Sequence, residues 1–214
     1  MRKLLLLLSL CALGTHGLKA QKVQDYFIHM PDSICPLLTA VNRADFIDFM
    51  DSRMKAEVTN RLGGKSQMTE RADDYLRIQL TPQNSWQLKL LPMPDGTRVL
   101  CAVSTASAPA ADSHLRFYTT DWTELPTDSL LPGQPGIDDF LTAPPDSDLT
   151  YTYRDARRQA DIRFLKADLK AGSDTLYYSL DTPAYMSTEA ARTLRPYVLP
   201  VLPYVWHAGR FARP

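Results

Sequence analysis

The sequence is poor in everything from which a metal centre or a thiol enzyme is built. Of 214 residues, three are cysteine and four are histidine. Cys11 and His16 lie near the N-terminus, which leaves Cys35, Cys101, His29, His114 and His207. These are too dispersed for an H-x-x-x-H pair or a C-x-x-C motif, so no zinc or redox centre is expected. A G-x-S-x-G nucleophile elbow is missing, as is a D-x-D-x-D-G calcium loop. Glycine is also scarce, nine against sixteen prolines. That balance favours many short elements with stiff connections over a long helical bundle. Neither sign of charge is in excess, with 24 basic and 24 acidic residues. No strong field for a polyanion exists, and nucleic-acid binding is not expected. Catalytic, cofactor and metal residues are therefore assigned to none of the chain's positions.

Long apolar runs are absent too, except at the start. Arg2 and Lys3 precede an apolar stretch from Leu4 to Leu13, and Gly17-Leu18-Lys19-Ala20 then places a small residue before Gln21. A cationic start, a short apolar run and a small residue make a secretory signal peptide over 1–20. The run is too short for a permanent transmembrane helix. Leu10 stands where a lipoprotein signal needs a small residue before Cys11, so a freely released protein is expected. Without residues 1–20 the chain keeps 21 basic and 24 acidic residues, a net charge of about −3. Export makes a disulfide between Cys35 and Cys101 chemically available, worth about 4 kcal/mol on the chain-entropy model. Two separate buried thiols fit the sequence equally well.

Periodicity divides the remainder. Residues 23–30 read as an extended lead-in and 33–38 as a short helix. Asn42 then caps a longer helix on which Phe46, Met50, Met54 and Val58 recur every four residues, until Gly63-Gly64 stops it. The period next changes from four to two. Leu76, Ile78 and Leu80 alternate with polar residues, as do Trp86, Leu88 and Leu90, then Val99, Cys101 and Val103, then Leu115 and Phe117. Short turns at Pro82-Gln83-Asn84 and Pro94-Asp95-Gly96 join consecutive antiparallel strands. Leu100 and Ala102 indicate that the third of these is covered on both faces. Residues 126–148 hold five prolines and read as a connection, with one helical turn at 137–141. Strands are expected again at 149–153, at 161–169 with a bulge, at 176–180 and around 204–211, with a short helix at 188–194. The expected fold is α+β: N-terminal helices packed on a mainly antiparallel sheet, arranged as two tandem helix-plus-four-strand repeats if the halves are related. The organisation is 21–125, a connection at 126–148, and 149–214, with one continuous domain as an alternative.

Several stretches invite a chemical reading. T-N-R-L-G-G-K-S at 59–66 ends like a phosphate-binding loop. A P-loop, however, needs its first glycine where this chain has Thr59, and needs a strand before it and a helix after. No nucleotide is expected. Asp112-Ser113-His114 suggests a hydrolase, but adjacent residues in a strand point to opposite faces. Asp73-Asp74 and Asp138-Asp139 read as caps or solvated turns. Tyr151, Tyr153, Tyr177, Tyr178 and Trp206 concentrate in the second half and form the candidate binding face, since Tyr and Trp are enriched where proteins meet partners or sugars.

The stretches M-P-D-S at 30–33, V-N-R-A-D-F-I-D-F at 41–49, K-A-E-V-T-N-R-L-G-G-K-S at 55–66, D-D-Y-L-R-I-Q-L-T-P at 73–82, D-S-H-L-R-F-Y at 112–118 and P-Y-V-W-H-A-G-R-F at 203–211 resemble a family of exported Bacteroidetes proteins, the domain-of-unknown-function 3256 family. The similarity runs over residues 24–212. It implies a Gram-negative envelope location, and no activity, substrate or site. The expected function is that of a non-enzymatic binding or assembly module in the periplasm or envelope, its partner an envelope protein or a glycan. The alternatives are a carboxylate-dependent glycan or cell-wall hydrolase and a structural envelope subunit.

Overall fold

The computed structural model describes residues 21–144 and 150–214; the expected signal peptide lies outside them. Val23 and Phe27, four apart and both buried, make the N-terminal segment a helix, α1 (Val23–Ile28), and not the expected extended lead-in. Residues 33–38 form turns where a short helix was expected. α2 (Ala40–Asp51) begins at Thr39, whose hydroxyl accepts from the Asn42 amide at 3.0 Å, while Asn42 reciprocates to the Thr39 amide at 3.1 Å. This mutual capping satisfies two otherwise orphaned donors. α2 stops earlier than its four-residue periodicity suggested. Arg53 adopts a left-handed φ of 56°, and Val58 belongs to a strand.

Seven strands follow in an uninterrupted antiparallel meander: β1 (Glu57–Thr59), β2 (Lys65–Arg71), β3 (Tyr75–Thr81), β4 (Asn84–Pro92), β5 (Arg98–Ser107), β6 (Ala111–Thr119) and β7 (Glu124–Leu125). Both faces of this sheet are covered. Leu76, Ile78, Trp86, Leu88, Leu100 and Ala102 pack under α1 and α2 with Phe27 and Phe46. Val99, Cys101, Val103, Leu115 and Phe117 point the other way. Against that second face lies a four-stranded antiparallel sheet, β8 (Leu165–Lys170), β9 (Ser173–Leu180), β10 (Leu202–His207) and β11 (Arg210–Ala212), in the order β11-β10-β9-β8. The shared core contains Leu165, Ala167, Leu169, Tyr178, Trp206 and Phe211. The connection between the sheets adds α3 (Thr127–Leu130), and its Leu131 and Phe140 are buried in the same core. The α+β class and the antiparallel pairing are thus as expected. The halves differ in size: among the described residues, two helices and seven strands stand against two helices and four strands.

The segment expected as a strand at 149–153 is instead helical over its described part. α4 (Thr150–Gln159) packs on α5 (Thr188–Leu194) through Ala156, Ala160, Ala190 and Leu194. Tyr153, Ala156 and Ala160 recur with helical spacing, and alanine carries too little hydrophobicity for that pattern to stand out beside two tyrosines.

The second sheet presents an edge, β8, to the first sheet's face. Unpaired edge groups must find partners, and here side chains supply them. The amide of Leu165 donates to Asp112 at 3.0 Å, that of Ala167 to Ser113 Oγ at 2.9 Å, and that of Leu169 to Gln87 Oε1 at 2.9 Å. Gln87 Nε2 returns a bond to the Ala167 carbonyl at 3.3 Å. Lys89, completely buried, donates to the Lys170 carbonyl at 3.0 Å and to the Asp74 carboxylate. Gln87 and Lys89, which alternation alone would send to solvent, are therefore interior residues. At the far end, the β10–β11 hairpin turns through Ala208 and Gly209, both at positive φ, as a two-residue I′ turn requires. A Cβ on Gly209 would also come within 3.1 Å of Met93 Cε.

Candidate functional site: a cleft on the helix-side face of the large sheet

α1 and α2 do not cover the whole of their sheet face. Beside them, the turn segment that carries Ser33, Ile34 and Pro36 stands over β4, β5 and β6 and encloses a cleft of about 360 Å³. Strand alternation determines what it contains. On β6, His114, Arg116 and Tyr118 face the cleft; on β5, their cross-strand partners are Ser104, Ala102 and Leu100. Trp86, opposite Ser104 on β4, completes the floor. Ala102 leaves space there that a larger side chain would fill. Trp86 and Tyr118 are almost fully buried, whereas His114, Arg116 and Ser104 are exposed along the rim.

Arg116 is the charged group lining this cleft. Its Nε donates to His114 Nε2 at 3.2 Å, which leaves His114 Nδ1 to serve as a donor. Glu124, on β7 outside the lining, lies 3.8 Å from Arg116 Nε with both side chains more than half exposed. Such a pair is weak. Burial raises the Tyr118 hydroxyl above the ordinary tyrosine range, and the neighbouring Arg116 works against that shift.

Three other clefts differ in one respect: each has a carboxylate in its wall. The α4–α5 cleft, about 230 Å³, has Asp155 and Glu189 with Tyr151, Gln159 and Thr193. Asp155 already accepts from Arg158 at 3.1 Å and Gln159 at 3.2 Å. A cleft beside α1, about 370 Å³, has Asp25 and Asp121, and one near β9, about 340 Å³, has Asp181. Where surroundings shift a carboxyl group, at Asp32, Asp51, Glu57, Asp95 and Asp138, a bonded Arg, Lys or Thr lowers it and holds it charged. A general acid requires the opposite shift. Among the described residues, no group of three His, Cys, Asp or Glu side chains is placed to hold a metal ion.

The structure separates the sequence-predicted candidates. Tyr151 is exposed on α4, and Tyr153 stands edge-on to Tyr197 at 5.2 Å. Tyr177 points outward from β9 beneath the Lys170 ammonium at 4.7 Å. Tyr178 and Trp206 are core residues between the sheets; Trp206 Nε1 donates to the Pro92 carbonyl at 2.7 Å. The five aromatics do not form one face, because strand alternation sends Tyr177 and Tyr178 apart and α4 takes Tyr151 and Tyr153 elsewhere. Cys35 and Cys101 are free, buried on opposite sides of the large sheet, so they do not form the candidate disulfide. Burial pushes the Cys35 thiol up to about 11 and raises Cys101 as well, so neither is an activated nucleophile. Ser113 and His114 do diverge: Ser113 binds β8 while His114 lines the cleft.

The glycine-lysine-serine stretch is a hairpin connection, not a helix stop. It joins β1 to β2 around buried Asn60. Asn60 Oδ1 accepts from the Leu62 and Gly64 amides at 3.0 and 3.1 Å, and Nδ2 donates to Ser66 Oγ at 3.0 Å. The amides that would cradle a phosphate are partly consumed by this side chain. The cleft itself was missed in the sequence. The signal was the alternation of His114, Arg116 and Tyr118 opposite the small residue Ala102, meaningful only once β5 and β6 are paired.

Helices on one face of a seven-stranded antiparallel meander, with a four-stranded sheet on the other, define a layered α+β protein with an open cleft on its helix side. The chain belongs to the family of proteins of unknown function DUF3256, whose family model matches residues 15–211. It is similar to the solved structure of a domain of an uncharacterized protein from Porphyromonas gingivalis W83, a member of the Bacteroidetes. The identity is 27%, the match covers 89% of this chain and 96% of that one, and the TM-score is 0.76. No functionally curated protein matches the chain.

Proposed function

We propose that this protein is exported to the periplasm or cell envelope and acts there by binding, as a recognition or assembly module, with the His114–Arg116 cleft as its binding site. The observation that carries the reading is the composition of that cleft: a cationic and imidazole rim over an aromatic floor, with no carboxylate in the lining. A few convergent polar groups over an apolar floor is what a ligand site needs. Two of the stretches on which the family resemblance rests, 30–33 and 112–118, meet at it. Export is supported by the cationic, apolar and small-residue order of residues 1–20. Gln21, the first residue after the expected cleavage position, already has its carbonyl bonded by Arg98 at 3.2 Å.

The test has two parts. Protein recovered from the periplasmic fraction should begin at Gln21 by intact mass. Tagged protein should capture the same envelope component reproducibly, and Ser104→Trp, which fills the cleft from its exposed rim, should abolish capture while leaving the melting temperature unchanged. Retention of residues 1–20 in a cytoplasmic protein, or capture indifferent to Ser104→Trp, would sink the reading.

A further inference from the structure

The cleft's chemistry narrows what it holds. We propose that it takes a carboxylate carried on an apolar body of amino-acid size: the C-terminal residue of a peptide, or a free N-acyl amino acid. The inference rests on the binding reading above and adds the ligand class to it. Three features carry it.

The first is charge. Arg116 lines the cleft, and no acidic side chain does, whereas each of the three clefts compared with it above has an acid in its wall. An anion enters here without meeting a like charge in the lining. Arg116 directs Nε to His114 and also bonds the Tyr118 hydroxyl, so two neighbours orient the guanidinium and N–H donors remain beyond those two contacts. Two parallel N–H donors match the two oxygens of a carboxylate. Glu124 holds Arg116 loosely across 3.8 Å and is itself more than half exposed, so a ligand carboxylate displaces little.

The second is the floor. Ile34 and Pro36 offer apolar surface beside the cation, above Trp86, Ala102 and Tyr118, which are almost fully buried and present only their cleft-facing edges. A ligand that was only an anion would leave that surface uncovered. The third is the remaining polarity. The Ser33 and Ser104 hydroxyls and His114 Nδ1 sit around the same floor, able to bond the amide that joins an acyl group or a preceding residue. A volume of about 360 Å³ is at the small end of ligand sites and suits one or two residues.

The experiment titrates the full chain from Gln21 with N-acetyl-L-phenylalanine, with its C-terminal amide, and with Ac-Ala-Ala-Phe as the free acid, followed by amide chemical shifts and calorimetry. The two acids should bind and shift the amides of β5 and β6 around Ser104 and Arg116. The neutral amide should bind at least about tenfold more weakly, the loss expected of one charged hydrogen-bonding partner. Arg116→Gln should weaken the acids by a similar factor and leave the neutral amide unaffected, with unchanged melting because Arg116 is exposed. Arg116→Lys should restore part of the difference, since it returns the charge without the fork. Tighter binding of the tripeptide points to a peptide terminus, and equal binding to a free small acid. Equal affinity for acid and amide, indifference to Arg116→Gln, or no binding at millimolar ligand overturns the proposal. If Ser104→Trp abolishes envelope capture while no acid binds, the ligand class fails and the binding module stands.

Discussion

Arg43 carries its charge into the space between α1 and α2, 2% exposed, and aims its donors at three backbone carbonyls and a carboxylate. Nη2 binds the Met30 carbonyl at 2.6 Å, Nη1 the Leu38 carbonyl at 3.0 Å, and Nε the Ile28 carbonyl at 3.4 Å. Nη1 also meets Asp32 at 2.9 Å, which Arg61 holds from outside. Arg43→Ala should leave these carbonyls unpaired and cost about 3 kcal/mol, read as a fall in melting temperature of about 10 °C. Asp32 is held below the ordinary carboxylate range, first by its bond to Arg43. A depressed folded value means that the unfolded chain binds the proton more readily. The contribution of Asp32 is therefore complete above its unfolded pKa of about 3.9 and is lost as pH falls through the lower folded value. Melting curves of wild type and Asp32→Asn should differ at neutral pH and converge below about pH 4; a gap that ignores pH would refute the linkage. The thiols give a simpler expectation. With Cys35 and Cys101 both free and buried, a thiol reagent should titrate both after denaturation and react slowly before it, and reductant should not shift the melting temperature.

At the scale of elements, β8 is the part of the fold with the most distinctive support. Its free edge is closed by Asp112, Ser113, Gln87 and Lys89 from the large sheet and not by another strand. Gln87 alone serves the Leu169 amide, the Ala167 carbonyl and the Tyr75 hydroxyl, the last at 3.0 Å. Gln87→Ala should therefore cost about 3 kcal/mol, because it strands buried partners as well as removing bonds. Its signature is local. Hydrogen exchange should accelerate in β8 and β9 well before β4 and β5, which keep their mutual ladder. Uniform loss of protection across both sheets would show that Gln87 acts by some other route. The same logic makes this edge a poor template for pairing with another chain.

For the whole molecule, the two sheets share one hydrophobic core, with Cys101 and Phe117 of one beside Tyr178, Trp206 and Phe211 of the other. Phe117 stacks on Trp206 at 6.2 Å, and Trp206 meets Phe211 edge-on at 4.9 Å. Cutting the chain at the proline-rich connection would expose that core on both pieces, and Leu131 and Phe140 of the connection are themselves buried in it. Residues 21–214 should unfold in one calorimetric transition, with calorimetric and van't Hoff enthalpies equal. Two resolved transitions would mean that the sheets are separable. The exposed large apolar side chains fall on separate segments, among them Val41 on α2, Leu62 in the β1–β2 hairpin, Tyr151 on α4 and Val205 on β10.

The sequence by itself determined the parts whose cause is local. Period-two runs from Leu76 to Phe117, with Pro-Gln-Asn and Pro-Asp-Gly between them, fix the strands and turns because each side chain's direction follows from its neighbour's. Even the covering of both faces of β5 was legible in Leu100 and Ala102. The short helix at 188–194 and the helical turn before Leu141 are local in the same sense. Only the tertiary structure decided the rest. Tyr151 and Tyr153 alternate as a strand would, yet they lie on a helix whose packing contacts are alanines. Gln87 and Lys89 look solvated until β8 arrives from far along the chain and needs their bonds. The cleft exists because a turn at 33–36 stands over a small residue at 102 between Trp86 and Arg116, and no one-dimensional pattern places those side by side. Pairwise direction along a strand is set by adjacent residues; which partner fills the space above it is set by chain that folds back from elsewhere.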